Sequence, residues 1–378
     1  MADREPAIVA EIAPSVGSIA AGDWDRLAGH ELFTSHAFLS ALEASGSVGP
    51  GTGWSPAPIQ IVEDDRITAA APAYFKTDSQ GEYVFDHGWA EAWERAGGHY
   101  YPKLLVAVPF TPVPGPRLLG SRPQELLAAI EAVTAQAELS SAHIIFVESD
   151  AAAECDRRGW LIREGIQYHW FNRGYGGFDD FLAALSSRKR KAIRRERQAA
   201  VLDLEIVALT GSEIGAAEWD AMWAFYQDTG SRKWGRPYLT RDFFDRIGRT
   251  MADRLLLFLA RRDGVPIAGA LNIIGADSLY GRYWGCLEEV PFLHFELSYY
   301  RAIEYAIEHG LKSVQAGAQG EHKIARGYEP VITRSAHFIP DPGFRHAIAD
   351  FVTRERSAVR GEVEFLKRAL PYRSSAVE

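Results

Sequence analysis

A chain of 378 residues is too long for one compact core and fits two domains. Apolar residues at 47% and charged residues at 24% are ordinary for a soluble globular protein, so fibrous and disordered classes are excluded. A net charge of −9 argues against a general nucleic-acid coat and leaves room for a local basic patch. The two cysteines, Cys155 and Cys286, have neither metal nor redox spacing, so a reducing cytoplasm is the expected setting. The opening Met-Ala-Asp-Arg-Glu-Pro carries no basic-then-apolar signal, and no transmembrane segment is expected because no apolar run spans a bilayer.

The elements follow in chain order. Ser35 caps a helix over Phe38–Ser45. Pro58–Val62 and Ile67–Lys76 read as a hairpin about Asp64-Asp65, followed by a strand at Glu82–Phe85. An insertion then brings an amphipathic segment, His87–Gly97, a strand near Lys103–Val108 and a proline-rich turn, Pro109–Pro116. A helix at Glu125–Glu138, a strand at Ile144–Val147, a Gly159-Trp160 corner and His169-Trp170 complete the first half. The halves join near Gly174–Gly177, ahead of a helix from about Phe178 to Ala199. The second half has a hairpin, Leu255–Arg261 with Val265–Ile274 about Asp263-Gly264, and a strand at Ser278–Trp284. A helix at Glu296–Glu308, a strand at Ser313–Ala316, the pair Gly327-Tyr328 and His337-Phe338 close it. This order describes a mixed α/β chain of two domains, residues 1–173 and 174–378.

The halves repeat one unit: the corner glycine and the later histidine are each displaced by 168 positions (327 − 159 and 337 − 169). Residues common to both copies are needed for packing, so function is expected where the copies differ. Between strand and corner the second copy has Gly317-Ala-Gln-Gly-Glu-His-Lys323, and the first has nothing comparable. Gly317 and Gly320 allow close backbone approach, and their amides can face an oxyanion. Glu321, His322 and Lys323 offer a base, a switchable imidazole and a cation, which are the roles acyl transfer to an amine requires. The bland alternative is a glycine-rich strand end with solvated charges.

Other candidates are less specific. Glu296 is either a first-turn acid complementing the helix dipole or a catalytic base aimed at a cleft. His294 reads as a core histidine. Tyr280, Tyr283 and Trp284 alternate around Arg282; packing is expected for Trp284, while Arg282 or Tyr283 faces the cleft and binds substrate. Arg188–Arg197 holds seven cations in ten positions, with Ser187 as cap. Arg190, Arg194 and Arg197 lie near one helical face and Lys191 and Arg195 on an adjoining one, so they form a phosphate site or a solvated helix with some pairing to Glu196. In the insertion, Phe85, Trp89, Trp93, Tyr100 and Tyr101 surround Asp86, His87 and Lys103. That composition suits an acceptor pocket, with Asp86-His87 on the amine, or a lid helix.

Six segments carry a family resemblance: Phe38–Glu43, Gly81–Asp86, Ser187–Lys191, Tyr280–Gly285, His294–Leu297 and Gly317–Lys323. On these the chain resembles the Fem-related bacterial proteins regarded as N-acyltransferases, built of two tandem GNAT-like acyltransferase domains. The resemblance covers nearly the whole chain. It implies transfer of an acyl or aminoacyl group to a small-molecule or peptide amine, in cell-wall-related or small-molecule metabolism. In Fem enzymes a lysine after an aromatic residue, just before a Gly-aromatic corner, polarises the acyl carbonyl. Lys323 stands at that place, with His322 where the aromatic would be and a longer gap to Gly327. A basic helix opens the second Fem domain, and the Fem donor is an aminoacyl-tRNA, so tRNA is an implied partner of Arg188–Arg197.

A CoA-dependent GNAT domain has a glycine-rich loop between its fourth strand and central helix to wrap a pyrophosphate. Cys286–His294 contains no glycine, and Leu118–Glu125 has Gly120 alone. The acyl donor is therefore aminoacyl-tRNA, or acyl-CoA at an atypical site. No Walker loop, GxSxG elbow or zinc spacing occurs. Against the enzyme stands a binding module, a degenerate transferase holding RNA or a phosphorylated ligand on its basic helix.

Overall fold

A computed structural model describes residues 8–233, 237–317 and 320–373 of the chain. Its contacts divide the chain into two units, each drawn from several stretches. The first gathers Met1–Gly165, Tyr238–Phe243 and Ile332–Arg360; the second gathers Ile166–Pro237, Phe244–Val331 and Gly361–Glu378. The boundary expected at residues 173 and 174 follows the chain, whereas the contacts follow the strands.

In the second unit the strands run Glu205–Thr210, Leu255–Arg262, Val265–Ile274, Ser278–Cys286, Ser313–Gln315 and the end of Leu161–Phe171, in that lateral order. All neighbours are antiparallel except Ser278–Cys286 and Ser313–Gln315, which pair in parallel over Ser278–Tyr280 alone. Past Tyr280 these two strands share no further rungs, so residues 281–286 leave an opening on that side. A bulge sits at the same place: Leu271 pairs with Tyr283 and Asn272 with Gly281, which leaves Arg282 as the extra residue. Trp170, Phe181, Leu297, Tyr300, Val314 and Tyr328 form the centre of this unit's core.

The first unit carries two sheets. Ile8–Ile12, Ile59–Glu63, Arg66–Ala71 and Leu119–Gly120 make one. Trp54–Pro56, Ala73–Lys76, Lys103–Val106, Ala142–Ile145 and the end of Glu329–Phe338 make the other. Lys103–Val106 and Ala142–Ile145 are parallel, as are Ser278–Cys286 and Ser313–Gln315 in the second unit. The repeat holds in the order of the strands but not in their register. His169 faces Gln315 across the ladder and His337 faces His143, partners that lie 172 positions apart (315 − 143) where the histidines lie 168 apart (337 − 169). Each copy's last strand therefore completes the sheet of the unit that holds the other copy's helix and strand.

Both expected hairpins form, with left-handed backbone at both turn residues: Asp64 and Asp65 (φ 49° and 59°), then Asp263 and Gly264 (φ 51° and 78°). Three expectations are corrected. The strand Ile67–Lys76 is interrupted at Pro72, which has no N–H to give to a ladder, so Arg66–Ala71 and Ala73–Lys76 belong to different sheets. Glu82–Phe85 is a loop, because Tyr83 turns left-handed at φ 62° and ends extended pairing. The helix Phe178–Ala199 is two helices, Phe178–Ala184 and Ser187–Ala200, parted where Leu185 takes an extended conformation. Ser186 rather than Ser187 holds the N-cap position of the second, without a side-chain cap bond. No helix among the described residues is long and apolar enough to cross a membrane.

The two corner glycines give a matched test. Gly159 and Gly327 share the left-handed conformation (φ 90° and 88°). A Cβ on Gly159 would meet nothing within 4 Å, whereas one on Gly327 would meet Phe181 at 2.9 Å and the Tyr372 hydroxyl at 3.2 Å. Gly159→Ala should cost about 1–2 kcal/mol for the backbone alone. Gly327→Ala should cost roughly 1–3 kcal/mol more through overpacking. Denaturant midpoints of the two variants measure the difference, and equal midpoints would contradict this packing of the second corner.

Candidate active site

Lys323 is the side chain around which the second unit's site is built. It lies in the 3-10 turn Glu321–Arg326 and is 1% exposed. Its ammonium donates to the carbonyl of Gly317 at 2.8 Å. Gly317 and Gly320 are both left-handed (φ 74° and 113°), which lets the chain fold back over the ammonium. Ala318 and Gln319, within the same expected motif, lie outside the described residues. Burial pulls the Lys323 amine down to about 7, with no carboxylate to offset it. His169, pushed down to about 4 by burial and then by Lys323, stays neutral beside it, and its Nε2 lies 3.2 Å from Gln167 Oε1.

Around this cation the side chains are largely aromatic. His322 is exposed, with its Nε2 2.9 Å from the hydroxyl of Tyr299, which burial pushes up to about 12. The His322 ring lies 5.7 Å from that of Phe295 and 6.4 Å from that of His294. Its imidazole packs over Gly320, where a Cβ would come within 2.4 Å of the ring. Glu321 is exposed. Tyr328 is fully buried, and its hydroxyl has no hydrogen-bond partner among the described residues.

A layer of ion pairs fixes the helices behind the site. Arg326 donates to the carbonyl of His322 and to Glu196, both at 2.9 Å, and its guanidinium lies 3.5 Å from the centre of the Phe295 ring. Tyr300 donates to the same Glu196 carboxylate. Glu296 is fully buried, held by Arg197 at 2.9–3.2 Å and Arg301 at 2.9 Å. It opens a π-helical turn, Glu296–Tyr300, inside the helical run that starts at Leu293. A carboxylate committed to two guanidiniums is a structural counter-charge, and the geometry gives it no aim at a cleft.

The basic helix divides into two sets. Arg197 is consumed by Glu296 and Glu304, and Arg194 meets the exposed Asp179 at 2.9 Å. Arg190 and Lys189 are half-buried, while Arg188, Lys191 and Arg195 are exposed; none of these five makes an ion pair among the described residues. On the strand Ser278–Cys286 the bulge at Arg282 breaks the expected alternation. Tyr283 packs against Tyr226 and Phe244, at 5.4 and 5.6 Å between rings. Trp284 packs against the second unit's core as expected, and it also faces His294 at 5.1 Å and lines a cavity. The Arg282 guanidinium lies over Tyr283 at 5.5 Å.

The first unit has its own buried lysine in a contrasting setting. Lys103 donates to Asp86 at 2.5 Å and to Glu82 and Ser79 at 2.9 Å each. Tyr100 donates to Asp86 at 2.6 Å, and the half-buried Tyr101 lies 2.8 Å from Ser79. Burial pulls the Lys103 amine down, yet Glu82 and Asp86 outweigh it and hold it above the ordinary range. Burial raises Asp86, but Lys103 and then His143 outweigh that and keep it well below the usual carboxylate range; Glu82 is left raised by burial to about 7. His143 and His337 share a 2.6 Å contact between their Nδ1 atoms, and burial pushes His143 down to about 3. Asp86, Tyr101 and Lys103 are thus brought together as expected, but Asp86 and Lys103 neutralise one another. His87 is exposed, stacked on Phe85 at 6.0 Å, and takes no part.

The two lysines should respond oppositely to removal. Lys103→Met leaves Asp86 and Glu82 buried without their lysine counter-ion and should cost about 3–5 kcal/mol. Lys323→Met removes a buried charge that has no counter-ion, so at pH 6 the variant should match or exceed the wild type by about 1 kcal/mol. The Lys323 amine is lowered in the fold from 10.5 to about 7, so the unfolded chain binds more protons across that window. Wild-type stability should therefore gain a rising contribution from about pH 7 to 10.5 that Lys323→Met lacks. Urea denaturation of both variants across that range checks the pair, and a large loss at Lys323→Met would contradict it.

The peptidoglycan biosynthesis/recognition family FemAB_like matches residues 15–374. No curated protein sequence matches the chain significantly. Among solved structures, FemX superposes with a TM-score of 0.53 at 13% identity, covering 88% of this chain and 98% of its own. A conserved protein of unknown function from Bacteroides thetaiotaomicron gives 0.51 at 12% identity, covering 88% and 99%. A tandem GNAT protein from the clavulanic acid biosynthesis pathway gives 0.45 at 12% identity, covering 89% and 99%. With the match running almost end to end, the chain belongs to the FemAB-like family.

Proposed function

We propose that the second unit transfers an acyl or aminoacyl group to an amine, and that Lys323 stabilises the charge developing on the carbonyl oxygen. The observation that carries this reading is a buried ammonium with no counter-charge among the described residues. Such a cation is costly in the resting protein and is relieved when negative charge forms beside it. That difference between ground state and transition state is what lowers a barrier. The amine nitrogen bonds to the carbonyl carbon and the carbon–oxygen bond of the donor ester breaks. The amine proton passes to His322, positioned by Tyr299 at 2.9 Å, and from there to the leaving oxygen. Glu296, held by Arg197 and Arg301, orders the helix rather than moving a proton.

Aminoacyl-tRNA is the donor we favour over acyl-CoA. The loop after Cys286 has no glycine to cradle a pyrophosphate, and Arg188, Lys191 and Arg195 present exposed charge to a phosphate backbone. The family description and the fold shared with FemX support a peptide amine of cell-wall type as acceptor. The first unit, whose lysine is already neutralised, is assigned a structural or acceptor-side role.

Transfer of labelled amino acid from total aminoacyl-tRNA to amine acceptors tests the reading. Lys323→Met should lower the rate about 10²–10³-fold while the protein stays folded. Retention of activity in that variant would sink the assignment. A joint Arg188→Glu, Lys191→Glu and Arg195→Glu variant should weaken tRNA binding and flatten its salt dependence by roughly three phosphate contacts. An unchanged salt slope would remove the helix from the donor site.

A further inference from the structure

The helix Ala216–Lys233, the strand Ser278–Cys286 and the loop that follows it enclose a cavity of about 550 Å³ in the second unit. Its described wall is mostly apolar and aromatic: Trp284, Val290, Phe292, Leu293 and Phe295, with Cys286 among them. The charged groups on that wall are two carboxylates, Glu288 and Glu289, and Glu288 pairs with Arg262. Phe292 adopts a left-handed conformation (φ 65°), turning the chain from the loop into the helical run that begins at Leu293. The cavity is lined at one side by His294 and Phe295, the residues whose rings approach His322. Trp284 contacts His294, and His294 and Phe295 lie 6.4 and 5.7 Å from the ring of His322.

An apolar wall gains free energy from apolar surface, at roughly 25 cal/mol per Å² removed from water. It disfavours a phosphate or an acidic side chain, since the described wall has no lysine or arginine to offset the lost hydration. We infer that this cavity holds the apolar side chain of the transferred acyl or aminoacyl group, so that the protein selects donors with a large aliphatic or aromatic side chain over glycyl and acidic ones. The inference rests on the acyl-transfer reading of Lys323, to which it adds a substrate class. With the side chain in the cavity, the carbonyl of the same group lies toward His322 and Lys323. Selection then comes from filling the space, and Trp284 and Val290 set its size.

The chain carries its own reporter. Cys286 lines the cavity and is partly accessible, whereas Cys155 is fully buried and its thiol is pushed up to about 12 by burial. Labelling of the full chain with monobromobimane therefore reads Cys286, and Cys155→Ser should leave its rate unchanged. N-acetyl-leucinamide and N-acetyl-phenylalaninamide should slow labelling by about 10-fold at saturation, and N-acetyl-glycinamide and N-acetyl-aspartamide by less than about 2-fold. Val290→Trp, which fills the cavity, should abolish the protection. Equal protection by all four amides, or none by the leucyl and phenylalanyl ones, would overturn the inference in the wild-type protein without recourse to any variant. Lys323→Met should leave the protection intact. Side-chain-dependent protection in a Lys323→Met protein that still transfers acyl groups would sink the role given to Lys323 and leave the cavity standing. A Lys323→Met protein that has lost transfer, with no such protection in the wild type, would sink the cavity proposal alone.

Discussion

Removing a lysine ammonium from water without a counter-ion is the constraint that separates the two halves of this protein. Desolvation disfavours the charged form by several kcal/mol, and folded proteins ordinarily offset it with a carboxylate. The first unit does so at Lys103, which Asp86 and Glu82 surround. Among the described residues the second unit does not, and Lys323 has there the Gly317 carbonyl and a neutral histidine. A neutralised lysine stabilises a fold and has little electrostatic influence left over. An uncompensated one destabilises the fold and retains that influence for a ligand.

The architecture makes that placement possible. In each unit a parallel strand pair is completed by the strand that follows the corner glycine of the other copy. In the first unit the parallel rungs run from Leu104 to Val106. In the second they stop at Tyr280, next to a bulge at Arg282. Trp284 and His294 then line the approach to His322, while Glu196, Arg326, Arg197 and Glu296 lock the helices behind it. The charges that hold the scaffold are paired with one another, and the charge proposed for chemistry is not.

What the sequence disclosed was what a short range of residues dictates. Gly159 and Gly327 were legible because a corner demands left-handed backbone, and the hairpins because Asp64-Asp65 and Asp263-Gly264 favour the same geometry. Lys323 stood out because its motif has no counterpart in the first copy. The partners of that lysine were not legible. His169 precedes it by more than a hundred positions, and Tyr299 approaches only through His322, so no local pattern announces either. Tyr283 packs against Tyr226 and Phe244 beside a one-residue bulge that breaks the alternation used to orient it. Ser79, Glu82, Tyr100 and His143 gather around Lys103 from separate elements, and Glu82 lies in a loop mistaken for a strand because Tyr83 turns left-handed. The helix Pro342–Arg368, whose residues are divided between the two units, was not anticipated.

Direct titration of the two buried lysines tests the central claim. Carbon NMR of ¹³Cε-lysine, assigned with Lys323→Met and Lys103→Met, reports each amine's charge. The account predicts that Lys323 loses its proton near pH 7 while Lys103 keeps its own above 10.5. A Lys323 signal that remains charged to pH 10 would mean that a counter-charge reaches it, and the proposed source of catalysis would be contradicted.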